Sequence, residues 1–554
     1  MPIIDVYKKT IDDIVGRQLD IKDTSEMLFK FGMEVDEIEG DTLKIEVTPE
    51  RVDMMTPEGI ARALRAYAGI KKGIPEYKIL KSRASVKVDS NLKDIREFSA
   101  CAIVKNLRWT GTMIKEVMNS HGKIDQTYGR RRKKLGLGVY PLDKIKFPVR
   151  YYAEDKNKIK FVPLGFSEPL TVDEIEQKHP KGIENAFIAK GWVRYPLFMD
   201  AEGKIMSCLP FVNSREMGQV TEKTKDVFVE VTGTHWKSVN EVLNIVTTSL
   251  AERGGQIYSV GMIYGNKTFM TPDLTPTKKK LSVDYVNRIF GLQLSAGQIS
   301  DLLRRMMYNT KIINRNLIEV TIPAIRTDIL HDLDIIDDVG RAYGFDNLKP
   351  DPSQIPTIGK LHNYSSFSDK SRMTMIGMGF LEMMNFILTS IEDQFTKMNR
   401  EPEESVEILN PKAIGINTTR KYLIPEILKG LAYNAHKELP QKVFEVGDVV
   451  HLDNSETGAS SIRKLAAAIA DDKVGYETIV SVLDAYLRTF KVKYAIKKKD
   501  HPSFIDGRCG SVMVRGRQVG IIGEIHPQVL NNWNIIRPVA AFELDLDDIF
   551  SLKK

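Results

Sequence analysis

Long hydrophobic runs are missing from this chain. Across its 554 residues no apolar stretch approaches the roughly 20 residues that a membrane-spanning helix needs. The first segment, MPIIDVYKKTIDDIVG, carries acids where a signal peptide requires an apolar core. Cysteine is scarce as well. Cys101, Cys208 and Cys509 stand far apart, which excludes both a disulfide framework and a CxxC zinc site. Glycine-rich phosphate loops and HExxH are absent, and in LGLGVYP Pro141 takes the place of the third glycine of a dinucleotide loop. No serine–histidine–aspartate set, internal repeat or low-complexity tract stands out. A soluble, cytosolic chain with no membrane partner is the expectation.

What the chain does have is core-forming material. Hydrophobic residues make up 42%, and the length calls for roughly three to five domains. Lys+Arg 80 against Asp+Glu 73 gives a net charge of +7, compatible with a nucleic-acid partner without requiring one. The basic residues concentrate in RRRKK (Arg130 to Lys134) and in triplets at Lys278 and Lys497, runs that solvated loops also carry.

Four blocks follow from the local patterns. Residues 1–80 contain a strand, LKIEVT, and a helix with Ile60, Ala63, Leu64 and Tyr67 on one face, capped by Thr56 before Pro57 and stopped at Gly69. GIKKGIPEY reads as a linker. Residues 85–265 contain KDVFVEVTG, where Val227, Val229 and Val231 point one way and Phe228, Glu230 and Thr232 the other. That second face suits either a polar pocket or an outer sheet surface. A helix follows with Val239, Val242, Leu243, Val246 and Leu250 inward. Residues 266–350 read helix, helix, hairpin, helix, with Ser282 and Ser295 as caps and Gly291 as a stop. This is a winged-helix-like outline that serves nucleic-acid binding or protein docking. Residues 351–554 mix helices with strands of a largely antiparallel sheet, KVFEVGDVV, SVMVRGRQVGIIGEI and VAAFELDL; a helix from Glu477 turns Ile479, Val482, Leu483, Tyr486 and Phe490 inward.

The stretch RTDILHDLDIIDDVGRAYGFDNL raises the question of metal, docking or solvation. A helix starting near Leu333 places Asp334, Asp337 and Asp338 on one face, and Ile335, Ile336, Val339, Ala342 and Tyr343 on the buried one. Asp332 is positioned to cap it, with Asp328 just upstream. Three adjacent carboxylates repel one another until water, arginine or a hard cation such as Mg²⁺ relieves them.

The same stretch resembles the acid-rich signature of the β subunit family of phenylalanyl-tRNA synthetase. Asp328, Asp334, Asp337 and Asp338 fall on its acid positions, two of them aspartates where glutamates are common. The resemblance implies that these acids bind Mg²⁺ at the contact with a catalytic α subunit. IEVTPERVDMMTPEGIARALRAY resembles the family's front domain, with Glu50 and Val52 departing from its asparagine and proline. LNPKAIGINTTRKYLIPEIL, LPQKVFEVGDVV, HPSFIDGRCGSVMVRGRQVGIIGEIHPQVL and PVAAFELDL resemble its C-terminal synthetase-like domain. The archaeal and eukaryotic type, without an added anticodon-binding domain, is the closer likeness.

The implied architecture is an α/β (α+β) multidomain chain: an N-terminal domain, an editing domain, a winged-helix-like domain and a degenerate class II synthetase-like domain. The last lacks class II ATP motifs, since Arg420 is followed two residues on by Tyr422 rather than an acid and no GxGxGxxR-like string exists. It is therefore expected to scaffold the α subunit in an α2β2 assembly, which charges tRNA(Phe) with phenylalanine using ATP and Mg²⁺.

For the second block the resemblance implies hydrolysis of mischarged Tyr-tRNA(Phe). A hydrophobic pocket rejects an added hydroxyl only weakly, so a separate editing site is physically sensible. LPFVNSREMGQVTEKTKDVFVEVTGT resembles the editing motif. Glu230, Thr232 and Asn213 are the expected catalytic-site residues, and Ser214 and Thr234 are expected to bind substrate. Asp125 stands where the family has a histidine. RRRKK could contact acceptor-stem phosphates. A non-enzymatic tRNA- or DNA-binding protein is the alternative, and a scaffold that has lost editing is another.

Overall fold

A computed structural model describes residues 2–350, 352, 355 and 357–553. They form two compact units, Met1–Pro352 and Ser353–Lys554. The expected boundary residue Asp351 lies outside the described residues. Among the described residues no helix is long and apolar enough to cross a membrane.

The first unit opens with a three-stranded antiparallel sheet in which Thr42–Glu46 lies between Ile3–Tyr7 and Glu34–Glu39. Helix Pro57–Tyr67 follows, and Thr56 Oγ1 accepts the Gly59 amide at 3.0 Å, as its cap chemistry requires. Ile60, Ala63, Leu64 and Tyr67 are all buried.

An eleven-stranded sheet dominates the unit. Its strand Val227–Gly233 runs between Phe98–Lys105 and the edge strand Leu135–Pro141, antiparallel to both. The valines of this strand pack with Val239, Val242, Leu243 and Leu250 of helix Trp236–Glu252. Phe228 packs on the opposite face against Cys101, Ile103 and Tyr140. The predicted two-faced alternation is present, but both faces are covered, so the outer-surface reading of the second face is excluded. The sheet also takes in Ile79–Leu80 and Lys267–Thr271, which lie on either side of the span 85–265.

The unit ends in two helices, Val283–Phe290 and Ala296–Arg305, a hairpin of Asn309–Asn314 with Leu317–Ile322, and helix Asp332–Tyr343. Ser282 and Ser295 accept the Tyr285 and Gln298 amides, and Gly291 closes the first helix in the left-handed conformation. The basic triplet at Lys278 is not in a loop. Thr277–Ser282 forms a third strand beside Leu317–Ile322, with Lys278 Nζ 2.9 Å from Glu319. Cross-strand charge pairing of this kind favours a lysine-rich edge strand.

The second unit is built on seven strands in the order Leu381–Glu382, Gln441–Leu452, Ala459–Ala470, Val539–Asp545, Arg517–Ile525, Phe504–Val514, Ala495–Lys498. All neighbours are antiparallel except the first pair. Helix Tyr476–Thr489 buries Ile479, Leu483 and Tyr486 against one face, and helix Ile424–Tyr433 covers the other.

Candidate functional site

The acid-rich stretch does not assemble a metal cage. Arg326 donates to Asp328 from Nε at 2.8 Å and Nη2 at 2.6 Å, and Nη2 also lies 2.7 Å from Asp338. Tyr308 donates to the same Asp338 carboxylate at 2.5 Å. Burial alone would raise the Asp328 carboxyl, yet the charges of Arg326 and Arg51 hold it at about 2. Asp334 accepts the Leu330 and His331 amides at 2.7 and 2.6 Å, closing the turn before the helix. Asp337 pairs with Arg341 one helical turn on, at 2.6 Å.

The cap of this helix is His331, not Asp332, which is its first helical residue. Nor is Asp338 on a solvated face. It is only 2% exposed and turned toward Arg326. Among the described residues no group of three or more acids, histidines or cysteines could hold a metal. In this chain Arg326 compensates Asp328 and Asp338, while Asp334 and Asp337 are taken up by the Leu330 and His331 amides and by Arg341.

The second block does contain a site. A cavity of about 460 Å³ lies among helix Gly111–Gln126, the edge strand Leu135–Pro141 and the segment 209–220. Thr110 starts the helix by accepting the Met113 amide. The helix brings Val117, His121 and Asp125 to the cavity. At its far end the chain turns back through Arg130, Arg131 and Arg132, which have φ of 52°, 52° and 62°. Three consecutive left-handed residues with side chains are strained by on the order of 1–2 kcal/mol each. The turn aims the third arginine inward. Arg132 Nε donates to Asp125 Oδ2 at 2.7 Å, and Nη1 to the Pro210 and Phe211 carbonyls at 3.0 Å. Of the expected phosphate-contacting run, Arg130, Arg131 and Lys133 are exposed and Arg132 is structural.

Glu230 and Thr232 face Gly138 and Gly136 across the strand pair. The glycines give them room. A Cβ at Gly138 would stand 2.7 Å from Glu230 Oε1 and 2.9 Å from Tyr140 Oη, closer than any side chain tolerates. Tyr140 lies 3.1 Å from both Glu230 Oε1 and Asn213 Oδ1, tying together two of the expected site residues. Glu230 Oε2 has no hydrogen-bond partner. Burial pushes the Glu230 carboxyl up to about 7, with Arg96 opposing.

Thr232 is fully buried, and Arg96 takes up both its hydroxyl, from Nε at 2.9 Å, and its carbonyl, from Nη2 at 2.8 Å. Ser214 caps helix Arg215–Gly218 by accepting the Met217 amide at 3.2 Å. Thr234 is exposed and donates to the Lys134 carbonyl. Glu230 and Asn213 are thus brought together through Tyr140, whereas Ser214 and Thr234 are occupied locally and Thr232 holds Arg96. Tyr140, Arg96, Arg132 and His121 are missed by the motif. The one sequence signal for them is LGLG, because alternate glycines in a strand mark a close approach.

In the second unit a cavity of about 360 Å³ lies on the sheet, lined by Arg400, Lys464 and Glu543 among others. Two of its cations are paired. Lys464 pairs with Glu543 at 2.8 Å, and Arg400 with Glu403 and the Tyr422 hydroxyl. Arg420 is buried against Glu445 at 2.6 Å and the Asp448 carbonyl at 2.8 Å.

Comparison with known proteins gives three family matches. Residues 350–546 match the phenylalanyl tRNA synthetase beta chain CLM domain, 279–345 the tRNA synthetase B5 domain, and 1–70 the Phe-tRNA synthetase beta subunit B1 domain. The chain is 40% identical to the phenylalanine–tRNA ligase beta subunit of Pyrococcus furiosus, over 99% of this chain and 100% of that one. It is 39% identical to that of Methanocella arvoryzae, over 96% and 97%. An N-terminal fragment of the phenylalanyl-tRNA synthetase beta subunit from Pyrococcus horikoshii superposes with a TM-score of 0.60 at 39% identity, covering 62% of this chain and 99% of the fragment.

Proposed function

Because this chain belongs to the phenylalanine–tRNA ligase β-subunit family, we propose that it scaffolds a catalytic α subunit in an α2β2 enzyme and clears Tyr-tRNA(Phe) by hydrolysis. The α subunit would use ATP and Mg²⁺ to charge tRNA(Phe) in the cytosol. The scaffold role draws support from the pairing of Arg400 and Lys464 in the second unit's cavity and of Arg420 with Glu445, which leaves none of these three free for a nucleotide phosphate. It also draws support from the apolar residues that unit leaves in water, among them Met384, Phe386, Leu409 and Ile414. Exposed apolar surface of this kind suits a partner protein.

The observation that carries the editing reading is the unpartnered Oε2 of Glu230, a side chain whose other oxygen, Oε1, stands against Gly138 on the cavity wall. A buried acceptor without a donor is unfavourable by about 1–3 kcal/mol. A tyrosine phenol supplies that donor and a phenylalanine ring does not. The test is a deacylation time course of Tyr-tRNA(Phe) with the assembled enzyme carrying Glu230→Ala, run beside aminoacylation with phenylalanine. Hydrolysis should slow while charging persists. Unchanged hydrolysis moves the site elsewhere, and a matching loss of charging makes Glu230 structural.

A further inference from the structure

A second carboxylate oxygen, on a residue that lines the cavity, is also without a partner. Asp125 is 3% exposed, and its Oδ2 is held by Arg132 while Oδ1 makes no hydrogen bond. The Leu137 amide lies near enough to favour the ionised form, but not in hydrogen-bond geometry. Oδ1 would stand 3.7 Å from a Cβ at Gly136, just as Glu230 Oε1 would stand 2.7 Å from one at Gly138. Gly136 and Gly138 point to the same side of one strand, about 7 Å apart. The two carboxylates therefore stand against the glycine wall at positions spaced on the scale that separates the α-nitrogen of tyrosine from its phenol oxygen.

Resting on the editing reading above, we propose that Asp125 receives the α-ammonium group of the aminoacyl ester, so that the site demands a free amine as well as a phenol. Gln219 is exposed, and the other side-chain polar groups of the cavity are the wrong kind or already engaged. Arg96 and Arg132 are cations. His179 is bonded through both ring nitrogens, to the Lys181 amide and the Leu164 carbonyl. Asn213 Oδ1 accepts from Tyr140. His121, one helical turn before Asp125, makes no hydrogen bond among the described residues. Burial and the Arg132 charge push its imidazole down to about 3, so it stays neutral and adds no repulsion to an arriving cation. Burial raises the Asp125 carboxyl and Arg132 opposes that rise. An ammonium group at Oδ1 would complete the compensation that Arg132 provides on one side only.

The experiment uses the full chain assembled with its α subunit and two esters of tRNA(Phe). One carries tyrosine and the other 3-(4-hydroxyphenyl)propionate, which lacks only the amine. The unmodified enzyme should hydrolyse the amine-free ester about ten- to a hundredfold more slowly, the effect of a hydrogen bond to a charged group. Equal rates for the two esters overturn the proposal without any variant. Asp125→Asn should slow hydrolysis of the tyrosyl ester by a similar factor and leave the amine-free ester at its unmodified rate. Equal slowing of both esters would make Asp125 a support for Arg132 and overturn the proposal. If the unmodified enzyme hydrolyses neither ester, the editing reading itself falls, and the ammonium site with it.

Discussion

Arg326 Nη2 lies 2.7 Å from Asp338, and both side chains are buried. The same guanidinium holds Asp328, so two acids from a conspicuously acidic stretch share one cation inside the first unit. Removing one partner of such a pair leaves an uncompensated buried charge, a loss of about 3–5 kcal/mol. Asp338→Ala should therefore strongly lower the thermal unfolding temperature of the full chain. Asp337→Ala removes only an exposed helical pair and should shift stability by less than about 1 kcal/mol. Equal effects of the two substitutions would mean that Arg326 is satisfied without Asp338.

Tyr140 is the only hydrogen-bond partner of the Glu230 carboxylate among the described residues. Tyr140→Phe keeps the ring and strips both Glu230 and Asn213 of its hydroxyl. Two results are expected: a destabilisation of about 1–3 kcal/mol from the orphaned acceptors, and hydrolysis of Tyr-tRNA(Phe) slower by roughly tenfold. Denaturant unfolding and a deacylation assay read the two separately. A variant as stable and as active as the unmodified protein would show that the bridge is incidental.

Much of the fold is legible locally, and much of the site is not. The Thr56 cap, the Ser282 and Ser295 caps and the two faces of Val227–Gly233 follow from neighbours within a few residues. The Tyr140 bridge joins residues 73 and 90 positions away from it, so only the sheet register reveals it. Asp338 shows the same limit in reverse. Helical spacing groups it with Asp334 and Asp337, but Arg326 and Tyr308 draw it inside. The Lys278 triplet resembles a solvated loop because its pairing partner, Leu317–Ile322, lies about forty residues on.

Burial holds the Glu230 carboxyl near 7. Below that pH it is protonated; above it, the carboxylate is the better acceptor for a phenol. The preference for the tyrosyl over the phenylalanyl ester should therefore rise as pH climbs through about 7, after subtraction of spontaneous hydrolysis. Glu230→Gln should flatten that rise. Stability runs the other way. The folded chain keeps the proton up to about 7 while an ordinary glutamate releases it near 4.5, so this contribution is full below 4.5 and is lost as pH rises through 7. A preference that is flat in the unmodified enzyme would exclude Glu230 as the phenol acceptor.

Met384 and Phe386 are 96% and 87% exposed in the second unit. If an α subunit covers them, Met384→Ser with Phe386→Ser should weaken co-purification of the two subunits by at least roughly tenfold, given the apolar area lost. The isolated chain should keep its unfolding temperature, because neither residue belongs to its core. Assembly that is indifferent to the double substitution would place the contact on another face.

Gly136 and Gly138 make one wall of the cavity out of bare main chain. Such a wall offers selection no gradual path, since every possible replacement adds at least a methyl group where Glu230 or Arg96 already stands within 3.2 Å. If the cavity is the editing site, a change in its substrate preference would have to come from the facing helix and from the segment 209–220. Asp125 lies on that helix, which makes the glycine strand the fixed ruler and the helix the dial.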